Sequence, residues 1–146
     1  MSEAVKVRWG WLKFMYIYTI VGAGGFGWGM FAAPDIVKSV LRAPDQDPIA
    51  WGVTGSVYVA FAILSILGLR SPLRFAPVLL LQLFYKAIWL VGVILPLVIA
   101  RELPGYTVWL AAIFATYIIG DLIAIPFPYV FAREPDQRSK SAPQGA

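Results

Sequence analysis

Four long apolar runs separated by short polar turns predict an all-α protein, a four-helix transmembrane bundle with antiparallel neighbours and both termini cytoplasmic. Two further observations support that class. Hydrophobic residues make up 60% of the 146 and charged residues 14%, where soluble domains carry about 45–50% and about 25%. Basic residues also gather at the turns that one face of a membrane would hold. The bundle is expected over residues 1–132 and a polar cytoplasmic tail, disordered by composition, over 133–146.

The first run covers about residues 11–33. It is too long for the apolar segment of a signal peptide, and Phe31-Ala32-Ala33 lacks a small residue at the first cleavage position, so it reads as a retained span. Its second half is glycine-rich. Gly22, Gly25 and Gly29 fall on one helical face, and Gly25 and Gly29 form a GxxxG pair that permits close backbone approach in lipid. A phosphate-binding loop is excluded because no strand precedes these glycines. Residues 35–47 form the longest loop, and the spacing of Ile36, Val37, Val40 and Leu41 predicts a short helix lying at the interface.

Asp47-Pro48 is a helix-start signal, with the aspartate at N-cap and the proline at N1. The second run, about 49–69, places Gly52 and Ser56 at its entry, level with the glycine-rich half of the first, so these two spans are expected to pack there. Ser71-Pro72 repeats the start signal and closes an antiparallel hairpin into the third run, about 75–100, which Pro96 is expected to kink. The fourth run, about 106–131, is loosened near its end by Pro126 and Pro128.

Charge sets the orientation. With the N-terminus inside, the inner segments hold Lys6, Arg8, Lys13, Arg70, Arg74, Arg133, Arg138 and Lys140, and the outer ones only Lys38, Arg42 and Arg101. Tryptophans and tyrosines mark both faces. The net charge of +4 is thus a topology signal and not a nucleic-acid footprint. The sequence has no cysteine and no histidine, which removes disulfides, thiol catalysis, histidine-ligated haem and the usual zinc sites. No metal site and no resident cofactor are expected.

Two charges sit well inside the apolar runs, Lys86 in the third and Asp121 in the fourth. Gln82, Tyr85, Lys86 and Trp89 share one helical face. Lys86 is 14 residues from Ala100 and Asp121 is 15 from Tyr106, so at about 1.5 Å per residue both lie about 21–23 Å from the outer end. Equal depth on neighbouring helices predicts a buried Lys86–Asp121 ion pair. Tyr117 lies one turn from Asp121, and Thr19 and Ser65 reach similar levels from the first two spans. Such a pair either fixes helix register or serves a ligand or proton relay, since intramembrane ionisable groups are candidate functional sites. Tyr58, Tyr85, Trp89 and Tyr117 either pack or line a pocket for an apolar ligand.

The stretches Leu81-Gln82-Leu83-Phe84-Tyr85-Lys86-Ala87-Ile88-Trp89-Leu90 and Asp121-Leu122-Ile123-Ala124-Ile125-Pro126 resemble segments of DoxX-like small bacterial membrane proteins. The resemblance covers the layout of four short-looped spans, the first closed by a proline. It implies a bacterial cytoplasmic membrane and, for some members, quinone-dependent oxidation of sulfur compounds. It transfers no site residue. The leading expectation is a non-catalytic integral membrane protein, an accessory subunit or oligomeric scaffold, whose partners are the lipid bilayer and a homo-oligomer or larger membrane complex. The alternatives are a binder or carrier of a quinone or other lipid and a small proton-coupled transporter, both using Lys86 and Asp121. Enzyme chemistry fits less well, because no histidine base or cysteine nucleophile is present.

Overall fold

The computed structural model describes residues 5–133; the expected tail from residue 134 onward lies outside the described residues. Every regular element among them is helical: α1 (Trp9–Ala32), α2 (Pro34–Leu41), α3 (Pro48–Arg70), α4 (Ala76–Trp89), a π-helical turn (Leu90–Ile94), α5 (Leu95–Ile99), α6 (Gly105–Ala124) and α7 (Phe127–Val130). The helix α4, the π turn and α5 run on as one rod, Ala76–Ile99. Three helices are long and apolar enough to cross a membrane: Pro48–Arg70, Ala76–Ile99 and Gly105–Ala124. Between 28% and 33% of the residues in their apolar stretches are buried inside the structure, so most of each apolar surface points outward. That surface suits hydrocarbon and not water, which points to an integral membrane protein. α1 has 24 residues, but its glycines and its lysine dilute its hydropathy, and it is not among the three.

Local chemistry explains where the helices start and stop. Asp47 Oδ1 accepts from the backbone N–H groups of Ile49 and Ala50, at 3.0 and 2.9 Å, with Pro48 in the first turn. At the next junction the expected start at Ser71-Pro72 is displaced. α3 ends at Arg70, residues 71–75 form a turn, and α4 begins at Ala76 with Pro77 in its first turn. The Pro72 carbonyl is taken instead by the Tyr16 hydroxyl, at 2.7 Å, which ties this turn to α1. Ahead of Pro96, which lacks an N–H, the Leu95 N–H reaches back to the Leu90 carbonyl, an i→i−5 bond. The fourth run does not continue to residue 131. It breaks at Ile125, whose backbone is extended, ahead of Pro126, and resumes as the single turn α7.

α1 packs most closely on α3, α4 packs on α6, and α1–α6 and α3–α4 contacts close the ring. The glycine face differs from the expected one. Gly25 and Gly52 meet no atom within 4 Å of a Cβ position, and Ser56 is exposed with its hydroxyl turned back to the Gly52 carbonyl. The residues that let α1 and α3 approach are Gly24 and Gly27. A Cβ on Gly24 would lie 2.9 Å from Ala62 Cβ, and one on Gly27 would lie 2.9 Å from Val59 N and 3.0 Å from the Gly55 carbonyl. The other two expected glycines serve other partners, since Gly22 lies under the Tyr117 hydroxyl and Gly29 under Val37 of α2. The buried stripe of α1 explains the shift. Leu12, Tyr16, Thr19, Ala23, Gly27 and Met30 recur at three- and four-residue steps and carry Gly24 and Gly27 inward, leaving Gly25 outside.

Candidate functional site

The interior contains a polar layer that an apolar core would not require. Thr19 of α1, Ser65 of α3, Gln82 and Lys86 of α4 and Asp121 of α6 are each at most 1% exposed. Gln82 holds this layer together. Its amide Nε2 donates to Thr19 Oγ1 and to Asp121 Oδ2, both at 3.2 Å, and so links three helices. Thr19 Oγ1 donates to the Met15 carbonyl at 2.8 Å.

The direct Lys86–Asp121 ion pair expected from the sequence is absent. The salt bridge among the described residues is Lys38–Asp45, 2.9 Å long and at the surface. Lys86 Nζ and Asp121 Oδ1 are both buried without a hydrogen-bond partner, as is Ser65 Oγ. Register is the cause. Asp121 stands level with Gln82, which it bonds, whereas Lys86 stands level with Tyr117, whose ring centroid is 4.3 Å from Nζ. Gln82 and Lys86 are four residues apart on one helix, and Tyr117 and Asp121 four apart on the other, so the two charges are offset by one turn. Equal depth requires an unbroken α-helix from Ala100 to Lys86. The π turn at Leu90–Ile94 fits more residues into each turn and advances less per residue, which leaves Lys86 shallower than counted.

In place of a carboxylate, Lys86 has an aromatic enclosure. Its Nζ lies 4.3 Å from the Tyr85 ring, 4.3 Å from Tyr117, 5.2 Å from Phe114 and 5.9 Å from Phe61. The negative faces of these rings attract a cation at such distances. The rings also brace one another. Phe61 stacks on Tyr85 at 5.5 Å between centroids, and Tyr85 meets Phe114 edge-on at 5.9 Å. Trp89, expected at the site, packs on Phe114 at 5.0 Å and does not reach the cavity described next.

That cavity has a volume of about 350 Å³. Lys86, Tyr85, Tyr117 and Phe114 form one end, and Tyr58 and Ile113 flank it. The other end reaches Met30, Trp51 and Tyr106, beside Leu41 of α2 and Gln46 of the following loop. Trp51 is held there by its Nε1, which donates to the Met30 carbonyl at 3.0 Å. Of the residues singled out in sequence, Tyr58, Tyr85, Lys86 and Tyr117 line the cavity, while Gln82 and Asp121 lie in the polar layer beside it.

Sequence reasoning missed Phe61 and Phe114. Both carried a signal: Phe114, Tyr117 and Asp121 stand at i, i+3 and i+7, and Phe61 is one turn from Ser65. No group of histidine, cysteine or carboxylate side chains suited to a metal occurs among the described residues. The arrangement can receive an elongated apolar molecule and meet its polar end with an ammonium. The chain matches no protein-family model, no curated protein sequence and no solved structure. Fold and site together define the class as a helical protein with membrane-spanning character and a lysine-ended apolar cavity.

Proposed function

We propose that this protein is an integral membrane protein that binds or carries a lipidic ligand in the cavity ending at Lys86. One observation carries the reading: a cavity of about 350 Å³, lined mainly by apolar and aromatic side chains, counts Lys86 in its lining, a lysine whose buried ammonium has no hydrogen-bond partner. Small-molecule sites combine these two traits, a largely apolar wall and a few convergent polar groups, in volumes of roughly 300–1,000 Å³. Intramembrane lysines are costly and tend to mark such sites.

The proposed setting is the bacterial cytoplasmic membrane, with α1 joining the three apolar helices in a four-span, DoxX-like bundle and both termini inside. The basic-residue bias and the outward apolar surfaces support it. The cavity mouth at Met30, Trp51 and Tyr106 then faces the outer leaflet, with α2 lying at that interface and presenting Ile36 and Val40 outward.

The test is mass spectrometry of small molecules retained by protein purified in mild detergent, on the parent and on Leu110→Trp. Leu110 lines the cavity and is half-buried, so a larger side chain there fills the cavity from one side. A bound lipid or quinone in the parent, lost from Leu110→Trp at unchanged melting temperature, is the expected result. Equal retention by both proteins, or none by either, removes the reading.

A second reading, an oligomeric scaffold or accessory subunit, draws on outward small residues: Gly25 and Gly52 meet nothing within 4 Å and Ser56 is exposed. Small residues on a lipid-facing surface favour helix association. A change of oligomeric state in Gly25→Leu supports it, and identical migration of the two proteins rules this face out.

A further inference from the structure

Charge balance within the interior narrows the ligand class. Lys86 and Asp121 are the two charged side chains buried among the described residues. They do not touch, and they sit on neighbouring helices offset by one turn, Lys86 level with Tyr117 and Asp121 level with Gln82. In a water-poor interior, opposite charges on neighbouring helices lower each other's cost through space. The interior is therefore already neutral overall. An anionic headgroup brought to Lys86 would leave one uncompensated negative charge beside Asp121, whose own hydrogen bond comes from the uncharged Gln82 amide.

The ammonium nevertheless retains unmet donors. It carries three N–H bonds, has no hydrogen-bond acceptor, and is faced by four aromatic rings that attract its charge without accepting directionally as an oxygen does. A group that accepts a hydrogen bond and adds no charge satisfies both conditions. The volume sets the remainder of the molecule, because about 350 Å³ is near the lower end for a small-molecule site and holds a headgroup with part of one chain.

We infer that the ligand taken by this cavity is a single-chain amphiphile with an uncharged oxygen acceptor at its polar end, the carbonyl of a quinone or of an ester, received by the Lys86 ammonium with its tail toward Trp51 and Tyr106. The inference rests on the ligand-binding reading above and adds the charge state of the headgroup.

Three probes of matched chain length test it by native mass spectrometry of the full chain in lipid nanodiscs: an alkyl benzoquinone, a monoacylglycerol and an alkyl sulfonate that stays ionised. Wild-type protein is expected to bind at least one of the two neutral probes about tenfold or more tightly than the sulfonate, and the stronger of the two identifies the source of the carbonyl. Lys86→Met removes the donor to the neutral carbonyl and is expected to weaken binding of the preferred neutral probe about tenfold, while the uncompensated Asp121 still excludes the sulfonate. Asp121→Asn leaves the Lys86 charge uncompensated and should move the preference toward the sulfonate. Equal or tighter binding of the sulfonate by wild-type protein overturns the neutral-headgroup inference and leaves the cavity reading standing. Failure of all three probes to bind wild-type protein overturns both. The wild-type ranking decides the question without either variant, so the test survives a variant that does not fold.

Discussion

Gln82 carries more of the interior than its neighbours. Its amide is the one side chain in the polar layer bonded to two other helices, through Thr19 and Asp121. Gln82→Leu keeps roughly the same volume but leaves the aspartate carboxylate without its donor. A buried polar group stripped of its partner costs about 1–3 kcal/mol, and more when charged. The variant should therefore melt clearly below the parent in detergent, and a melting temperature within a degree of the parent would show that Gln82 is not the clamp. Lys86 and Asp121 form the second case at this scale. They are coupled through space and not by contact, so Lys86→Met or Asp121→Asn alone should lower stability, because each leaves the other charge uncompensated. The double variant should regain part of the loss, with a coupling of about 0.5–3 kcal/mol in a thermal double-mutant cycle. Strict additivity would mean that the two charges ignore each other.

At the scale of elements, the α1–α3 seam and the π turn do most to shape the site. The seam depends on Gly24 and Gly27, where the facing atoms include α3 backbone. Gly27→Leu forces the helices apart, and overpacking of this kind costs about 1–3 kcal/mol, or more where backbone has to move. Gly25→Leu, two residues away and open to the outside, should melt like the parent. A comparison of the two melting curves checks this directly, and equal destabilisation would contradict the assigned face. The π turn acts on register. By advancing less per residue between Pro96 and Lys86, it shifts the lysine toward the level of Tyr117, while the aspartate lies beside Gln82. The glutamine thereby takes the carboxylate, and the ammonium is left to the aromatic rings and the cavity.

For the whole molecule, the relevant contrast is between a small polar interior and a large apolar exterior. Exposed side chains such as Val21, Ile49, Ile88 and Ile99 are at least 70% exposed or close to it, at 70%, 78%, 69% and 75%. Such a surface suits a hydrocarbon solvent. The proposed orientation has both termini in the cytoplasm, so a reporter active only in the cytoplasm should be active when fused after Ala146 and silent when placed in the loop near Asp45. The opposite pattern would invert the bundle and turn the cavity mouth inward.

Composition and hydrophobic patterning by themselves determined the solvent class, the helical fold and most helix boundaries. These follow from local chemistry: the length of each apolar run, the Asp47 cap, and prolines that interrupt backbone bonding. The face presenting Lys86 and Tyr85 was also legible, since four-residue spacing survives within one regular helix. Which groups meet across helices was settled only by tertiary structure. Equal depth implied that Lys86 touches Asp121, but the packed helices sit one turn out of that register, and the π turn at Leu90–Ile94 moves Lys86 in the direction of that offset. The glycine face moved for a similar reason, because helix rotation follows the whole buried stripe from Leu12 to Met30 and not the most evident small-residue pair. Phe61 and Phe114 come from helices distant in sequence, and no local pattern specifies that four rings converge on one ammonium. Contacts of this kind depend on how helices rotate and slide against one another, and packing alone determines that.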